Sequence, residues 1–137
     1  NIDEELYKEF ILDLARHPLN KKKLADFDFE QKGINVSCGD EIQVYVKLDK
    51  NPSTSFRINK KVKDIGFEGE GCVISQAAAS LLTEEVKDKS IKEIMSLTEK
   101  DITKLLNVEV IYTRKKCALL CLNALQDGMK KYASARN

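Results

Sequence analysis

The stretch "EIQVYVKL" at residues 41–48 restricts the fold more than any other part of the chain. Apolar and polar side chains alternate along it without a break. Because successive side chains of a strand point to opposite faces, this pattern indicates a strand with one face in the core and the other toward solvent. The apolar members are Ile42, Val44, Val46 and Leu48. A strand of this kind needs partners, so the chain must contain a sheet.

Two neighbouring segments are predicted to pair with this strand. "DFDFEQKGINV" at residues 26–36 alternates aromatic with acidic residues, and residues 56–67 follow the turn-forming "NPSTS" at residues 51–55. Asn, Pro and Ser clusters favour turns, and short connections favour antiparallel pairing. We therefore expect a three-stranded antiparallel meander with one polar face.

Helical spacing of apolar residues occurs at the N-terminus and again from Cys72 onward. Pro18 ends the first helix, and the main later helices are predicted at residues 72–87 and 114–132. The apolar stripe of the first helix comprises Leu6, Phe10, Ile11 and Leu14. Two short helices and the last helix have predicted capping residues, which are Ser90, Thr98 and Thr113.

Strands followed by helices favour an α+β fold. We expect a three-stranded antiparallel sheet packed on one face by helices, with an N-terminal helix and the C-terminal helices. A chain of 137 residues suits one domain that buries about two-thirds of its unfolded surface, so residues 1–137 are taken as a single domain.

The charge pattern excludes two classes of partner. Charged residues make up 33% of the chain but cancel to a formal net charge of +1. Such a balance gives no global field for nucleic acid or an anionic membrane. The basic clusters at residues 21–23, 60–63 and 114–116 lack interleaved aromatic residues, which favours solvated surfaces. Neither a nucleic acid nor a membrane partner is expected.

The acidic start of the chain lacks the basic region and cleavage site of a signal peptide, and no window approaches 18 consecutive apolar residues. We therefore expect a soluble cytoplasmic protein. In that compartment the four cysteines indicate reduced thiols or metal ligands rather than disulfides.

Three of the cysteines lie at ends of predicted elements. Cys38 occupies the turn "SCGD", Cys72 follows "GEG" where a strand gives way to a helix, and Cys117 lies in the first turn of the last helix. A cysteine beside apolar residues is most often a small buried hydrophobe. Helix N-termini, however, lower the pKa of a thiol, and the thiolate binds metal and attacks sulfur. The flanking glycines and acids of Cys38 and Cys72 favour this second interpretation.

Asp40 follows Cys38 by two residues, so both side chains can point the same way. It is either a solvated turn residue or Asx-type cap, or an oxygen ligand beside the thiolates. In the second case, three cysteines and one aspartate form a tetrahedral set suited to zinc or an iron–sulfur cluster. An oxygen ligand should bind less tightly than a fourth thiolate, which makes the site labile.

Other residues near these positions have weaker signals. Cys121 lies one helical turn after Cys117 in an apolar run, which favours a core role over that of a spare thiol near the site. Arg114 and Lys116 lie within reach of Cys117 and are candidates for stabilising thiolate or anionic sulfide. The only histidine, His17, fits a surface or capping role. The sequence therefore offers no other histidine to act as a base in nucleophilic catalysis.

The glycines of "GEGC" do not match a phosphate-binding loop or a dinucleotide fingerprint. We interpret Gly69 and Gly71 as residues without side chains that let the backbone pass close to a group bound by Cys72.

The chain resembles the U-type iron–sulfur cluster assembly scaffolds, the family of IscU, SufU and the NifU N-terminal domain. The resemblance covers nearly the whole chain, in "YKEFILDLARHPLNKKKL", "SCGDEI", "FEGEGCVISQAAASLL" and "RKKCALLCLNAL". The glycine-flanked cysteine followed by Ile-Ser and small residues is very specific to that family.

The resemblance implies a function and a ligand set. Cys38, Asp40, Cys72 and Cys117 match the family's metal- and cluster-binding positions. Family members receive persulfide sulfur from a pyridoxal-phosphate (PLP) cysteine desulfurase, assemble a transient [2Fe–2S] cluster and transfer it to acceptor proteins. Many bind zinc at the same site. The resemblance also implies a small antiparallel sheet packed with helices.

The sequence has features of two branches of the family. Lys116 replaces the histidine of the housekeeping scaffold branch, and "VIYTR" replaces its chaperone-binding segment, which argues against chaperone-assisted release. "RKKC" resembles the zinc-bound SufU sulfurtransferases, yet only 44 residues separate Cys72 from Cys117, as in the scaffold branch. The leading hypothesis is a non-enzymatic scaffold, and the alternative is a zinc-bound sulfurtransferase that stimulates the desulfurase. The sequence is compatible with a monomer and with a homo-oligomer.

Overall fold

A computed structural model describes residues 2–50 and 56–135 of the chain. Within them, five α-helices and three strands form the predicted α+β fold. The strands are β1 (Phe29–Asn35), β2 (Asp40–Leu48) and β3 (Val62–Glu68). The helices are α1 (Ile2–Arg16), α2 (Val73–Glu85), α3 (Ile91–Met95), α4 (Glu99–Leu106) and α5 (Lys115–Ser134). The turn predicted at residues 51–55 lies outside the described residues.

The sheet is an antiparallel meander in the order β1-β2-β3, as predicted. β2 is central, and its four alternating apolar side chains are all buried against the helices. The opposite face is not uniformly polar. Tyr45 is buried there beside the ring of Phe27, with ring centroids 5.3 Å apart, and its hydroxyl donates to Glu68 at 2.6 Å.

The third strand is shorter than the predicted segment 56–67. Arg57–Asn59 forms a 3-10 turn, and pairing with β2 begins only at Val62, with a register shift at Lys47/Leu48. Tertiary contacts explain this departure. The guanidinium of Arg57 donates to the carbonyl oxygen of Tyr132 at 2.7 Å and lies 4.9 Å from its ring, which holds the segment against the end of α5.

Helix α1 buries a narrower stripe than predicted. Ile11 and Leu14 are buried, but Leu6 and Phe10 are 62% and 47% exposed. The physical reason is that α1 packs mainly against α2, so only one side of the helix is covered.

Helix α2 is covered on several sides, because it packs against α1, α4, α5 and β3. Its small residues permit this close approach. The run at residues 77–80, "AAAS", is completely buried.

Two of the three predicted caps occur. The side chains of Ser90 and Glu93 cap each other's backbone N–H groups, and the N–H of Thr98 donates to Asp101 at 2.8 Å. The prediction for Thr113 is wrong, since Tyr112–Arg114 forms a 3-10 turn and Arg114 precedes α5 without a side-chain cap.

Among the described residues, no helix has both the length and the apolar character needed to cross a membrane.

Candidate metal and cluster site

The β1–β2 hairpin presents the first two candidate ligands. Cys38 is exposed in the turn, and its N–H donates to the carbonyl oxygen of Asn35 at 3.3 Å. Asp40 is the first residue of β2 and is only 2% exposed. The solvated-turn interpretation of Asp40 is therefore wrong, because pairing of β2 turns its carboxyl group into the protein.

Helix α5 brings Cys117 to the same place. Cys117 is buried in the first turn of the helix, and its Sγ lies 3.3 Å from Sγ of Cys38. One ligand atom each from Cys38, Asp40 and Cys117 lies within 4.8 Å of the other two. Residues separated by 79 positions in sequence thus form one cluster of two thiols and a carboxyl group.

Cys72 joins this cluster through its backbone. It is the N-cap residue of α2 rather than its first helical residue, and its N–H donates to Oδ1 of Asp40 at 3.1 Å. The Cys72 side chain is near enough to Cys117 to raise the pKa of the Cys117 thiol, although it lies outside the group of three described above. The four candidate ligands are therefore neighbours, and the cysteines are free thiols.

The second carboxylate oxygen of Asp40 provides a test of whether these residues suit a cation. Among the described residues, Oδ2 of Asp40 is buried and has no hydrogen-bond partner. Leaving a buried carboxylate oxygen unpaired is costly, and coordination of a cation removes that cost. Thiolates with one carboxylate are a ligand set for zinc or for an iron–sulfur cluster. The residues present fit such a group.

The environment of Cys117 differs from the sequence prediction. Burial raises its pKa, and the neighbouring side chains of Asp40, Cys38 and Cys72 raise it further. The expectation that the helix N-terminus lowers this pKa is wrong, because loss of solvent outweighs the helix dipole at a buried thiol. A coordinated cation would reverse the balance, since metal binding deprotonates a thiol.

The two glycines before Cys72 lie against other atoms of the protein, where a larger residue would cause a steric clash. A Cβ on Gly69, which has φ of +123°, would overlap the carbonyl oxygen of Glu41. A Cβ on Gly71 would overlap Oγ of Ser75 and lie 3.0 Å from the carboxyl carbon and Oδ1 of Asp40. The prediction that these glycines make room for a bound group is corrected accordingly. They let the Cys72 segment approach β2 and Asp40.

Arg114 lies beside Cys117, as the sequence suggested. A hydrogen bond with the Cys117 thiol, together with the nearby Cys72 and Cys38, raises the pKa of Arg114. Lys116 is exposed on α5. Cys121 is 1% exposed within the hydrophobic core, and burial raises its pKa to about 12, in agreement with the core role favoured for it.

One residue of the site was missed in the sequence. Asn35 is 7% exposed, and its side-chain Nδ2 donates to Sγ of Cys117 at 3.6 Å. No sequence pattern marks Asn35 as a site residue, since it lies at the end of a predicted strand. Only the meeting of β1 with α5 reveals the contact.

Comparison with known proteins extends these observations. Residues 6–137 match the family model described as the NifU-like N terminal domain. An iron-sulfur cluster assembly scaffold protein IscU of Thermotoga maritima is 35% identical, with 92% of this chain and 94% of the relative covered. The zinc-dependent sulfurtransferase SufU of Bacillus subtilis is 34% identical, with 96% and 93% covered.

Solved structures agree with these relatives. A crystal structure of a putative iron-sulfur cluster assembly scaffold protein for the SUF system from Fervidobacterium islandicum superimposes with a TM-score of 0.71 at 27% identity. It covers 88% of this chain and 94% of that chain. The sequence match over residues 6–137 and the shared fold show that the chain belongs to the family of NifU-like N-terminal domains.

Proposed function

We propose that this protein is a scaffold on which a transient [2Fe–2S] cluster is assembled and then transferred to acceptor proteins. The main observation behind the proposal is the convergence of Cys38, Asp40 and Cys117 within 4.8 Å, with the backbone N–H of Cys72 donating a hydrogen bond to Asp40. The unpaired Oδ2 of Asp40 supports it, because a labile oxygen ligand suits cargo that must leave. The relationship to IscU proteins points the same way.

Sulfur would reach the site from a PLP-dependent cysteine desulfurase. A thiolate of Cys38, Cys72 or Cys117 attacks the outer sulfur of the donor's cysteine persulfide. The new S–S bond forms as the donor's S–S bond breaks, and the electron pair of that bond leaves on the donor's thiolate. The exposed Cys38 is accessible to such a donor. This exchange needs reduced thiols, which fits a cytoplasmic location.

The cluster itself is the cargo of the reaction, with the four residues as its proposed ligands. Anaerobic reconstitution with iron(II), cysteine, a cysteine desulfurase and a thiol reductant, which supplies electrons to reduce persulfide sulfur to sulfide, should give the absorption and Mössbauer spectra of a [2Fe–2S] cluster. Replacing Cys38, Cys72 or Cys117 by Ser should prevent it, whereas Cys121→Ser serves as a control thiol. Normal cluster formation by any of the first three variants would refute the ligand set.

The role of Asp40 needs a pair of variants, because its two oxygens have different environments. Asp40→Ala removes both oxygens, whereas Asp40→Asn retains an acceptor for the N–H of Cys72. If the carboxylate makes the cluster labile, both variants should lengthen its lifetime. A change in Asp40→Ala alone would assign the effect to the freed Cys72 segment instead.

A second function is favoured by Arg114. Its guanidinium adjoins the Cys117 thiol, where it would stabilise an anionic sulfur, and one relative is a zinc-dependent sulfurtransferase. In that case zinc would be held by the same four residues, and it would stabilise the thiolate form of the three cysteines. Stoichiometric zinc, several-fold stimulation of desulfurase turnover and no transferable cluster would establish this alternative. Metal and sulfide analysis of protein purified without oxygen distinguishes the two functions.

A further inference from the structure

Asn35 links two of the candidate sulfur ligands. Its side-chain Nδ2 donates to Sγ of Cys117 at 3.6 Å, and its carbonyl oxygen accepts from the N–H of Cys38 at 3.3 Å. The two sulfur atoms lie 3.3 Å apart. A single residue at the end of β1 therefore contacts both segments that supply these thiols.

The sheet register adds a third connection. Asn35 is the residue paired with Asp40 across the β1–β2 hairpin. Its position relative to Asp40 is thus set by the sheet, and its position relative to Cys117 by the packing of α5 on β1. A side chain placed in this way is held on rigid elements rather than on the turn itself.

The chemistry of a buried amide gives this contact a role. Asn35 is 7% exposed, and burying an amide is unfavourable unless its polar atoms are hydrogen-bonded. An N–H group that donates to sulfur favours the negatively charged thiolate and limits the directions in which the sulfur can point. Hydrogen-bond partners of metal ligands commonly orient those ligands in this manner, and losing one typically weakens metal affinity about 10- to 100-fold.

We propose that Asn35 is a positioning residue of the site, whose side-chain N–H holds the sulfur of Cys117, as thiolate, toward Cys38 and Asp40. This inference rests on the proposed function, because it requires these residues to bind a metal or cluster. It adds a residue that contacts a ligand without being one.

Zinc alone tests the inference. Asn35→Leu keeps the branching at Cγ but has no donor, and Asn35→Asp keeps the shape while replacing the N–H group by a carboxylate oxygen. Both should bind zinc about 10- to 100-fold more weakly than the wild type in competition with a chromophoric chelator. With cobalt(II), both should also show displaced thiolate-to-metal charge-transfer bands, which a loss of stability alone would not produce.

Thr83→Val is the matched control. Thr83 is completely buried, and its hydroxyl donates to the carbonyl oxygen of Ala79 at 2.7 Å. It lies 11 residues beyond Cys72 in the chain, about 16 Å along the axis of α2. Thr83→Val should lose stability because the hydroxyl's hydrogen bonds to Ala79 and from Asn20 are lost, but it should keep the zinc affinity and cobalt spectrum of the wild type.

A measurement on the wild-type protein covers the case in which both Asn35 variants fail to fold. On binding cadmium-113, the side-chain amide protons of Asn35 should shift, and one should show scalar coupling to the metal through the N–H to sulfur bond. Wild-type protein that binds neither zinc nor cadmium would refute the proposed set of metal ligands, and this inference with it, whereas cluster reconstitution tests the scaffold function separately. Normal metal binding with unchanged variants, or with Asn35 amide protons that neither shift nor couple, would overturn the role of Asn35 alone.

Discussion

Replacing Gly71 by Ala tests how closely the Cys72 segment must approach Asp40. Gly71 is not among the glycines with positive φ, so the substitution is opposed by steric contact rather than by backbone strain. The added Cβ would overlap Oγ of Ser75 and lie 3.0 Å from Oδ1 of Asp40. Ser75 can rotate away at the cost of its 3.0 Å bond to the Cys72 carbonyl oxygen. Asp40 has less freedom because it is buried at the start of β2.

The magnitude follows from these contacts. Overpacking typically costs about 1–3 kcal/mol, and a hydrogen bond to a charged group, such as that from Cys72 N–H to Asp40, contributes about 1.5–3 kcal/mol. Rotation of Ser75 relieves part of the overlap, and the lower entropy of unfolded alanine offsets about 0.4–1 kcal/mol. We expect a net loss of about 2 kcal/mol, which for a chain of this length lowers the Tm by about 6–8 °C.

Urea unfolding, with zinc competition as a second readout, checks this expectation. Gly71→Ala should also bind zinc roughly tenfold more weakly, because displacement of Asp40 disturbs a proposed ligand. Combining Gly71→Ala with Ser75→Ala should recover about 1 kcal/mol relative to the sum of the single variants, since the overlap with Oγ is gone. Wild-type stability and zinc affinity in Gly71→Ala would refute the claim that close approach at Gly71 supports the site.

Three further predictions concern other parts of the molecule. The hydrogen bond to Glu68 raises the pKa of Tyr45 from 10.0 to about 12. The stabilisation from this hydrogen bond is therefore complete below pH 10 and is lost as the pH rises toward about 12. In urea unfolding across this range, Tyr45→Phe should lack that loss, and parallel declines of variant and wild type would contradict the assignment. Cys121→Ser should lower the free energy of unfolding by about 1–3 kcal/mol, because it buries a hydroxyl in the core, yet it should leave zinc affinity unchanged. A changed zinc affinity would instead make Cys121 part of the site. Ser90→Ala should cost about 1 kcal/mol in thermal unfolding through loss of the cap on α3, and an unaltered Tm would show that the cap is dispensable.

Much of the fold was predictable because its signals are local. The alternation along β2 depends only on which face of the strand each side chain occupies, and the caps at Ser90 and Thr98 involve residues three positions apart. The start of α5 was harder to predict, since the 3-10 turn at Tyr112–Arg114 precedes the helix and leaves Thr113 outside it. The exposure of Phe10 was also unpredictable, because it depends on which neighbour covers α1.

The candidate site also has features that were predictable from the sequence and features that were not. Cys38, Asp40, Cys72 and Cys117 were selected from the sequence by their positions at the ends of elements and by the family resemblance. The raised pKa of Cys117 was not predictable, because burial by surrounding elements outweighs the local helix dipole.

The element types, the capping signals and the residues with the chemistry to bind a soft metal can be read from the amino-acid order, because each depends on neighbours along the chain. The close approach of Gly71 to Asp40 and the hydrogen bond from Asn35 to Cys117 arise only when the elements pack together. Those contacts join residues 31 and 82 positions apart. Such distances are set by how β1, β2, α2 and α5 pack against one another, and no periodicity within one element encodes them.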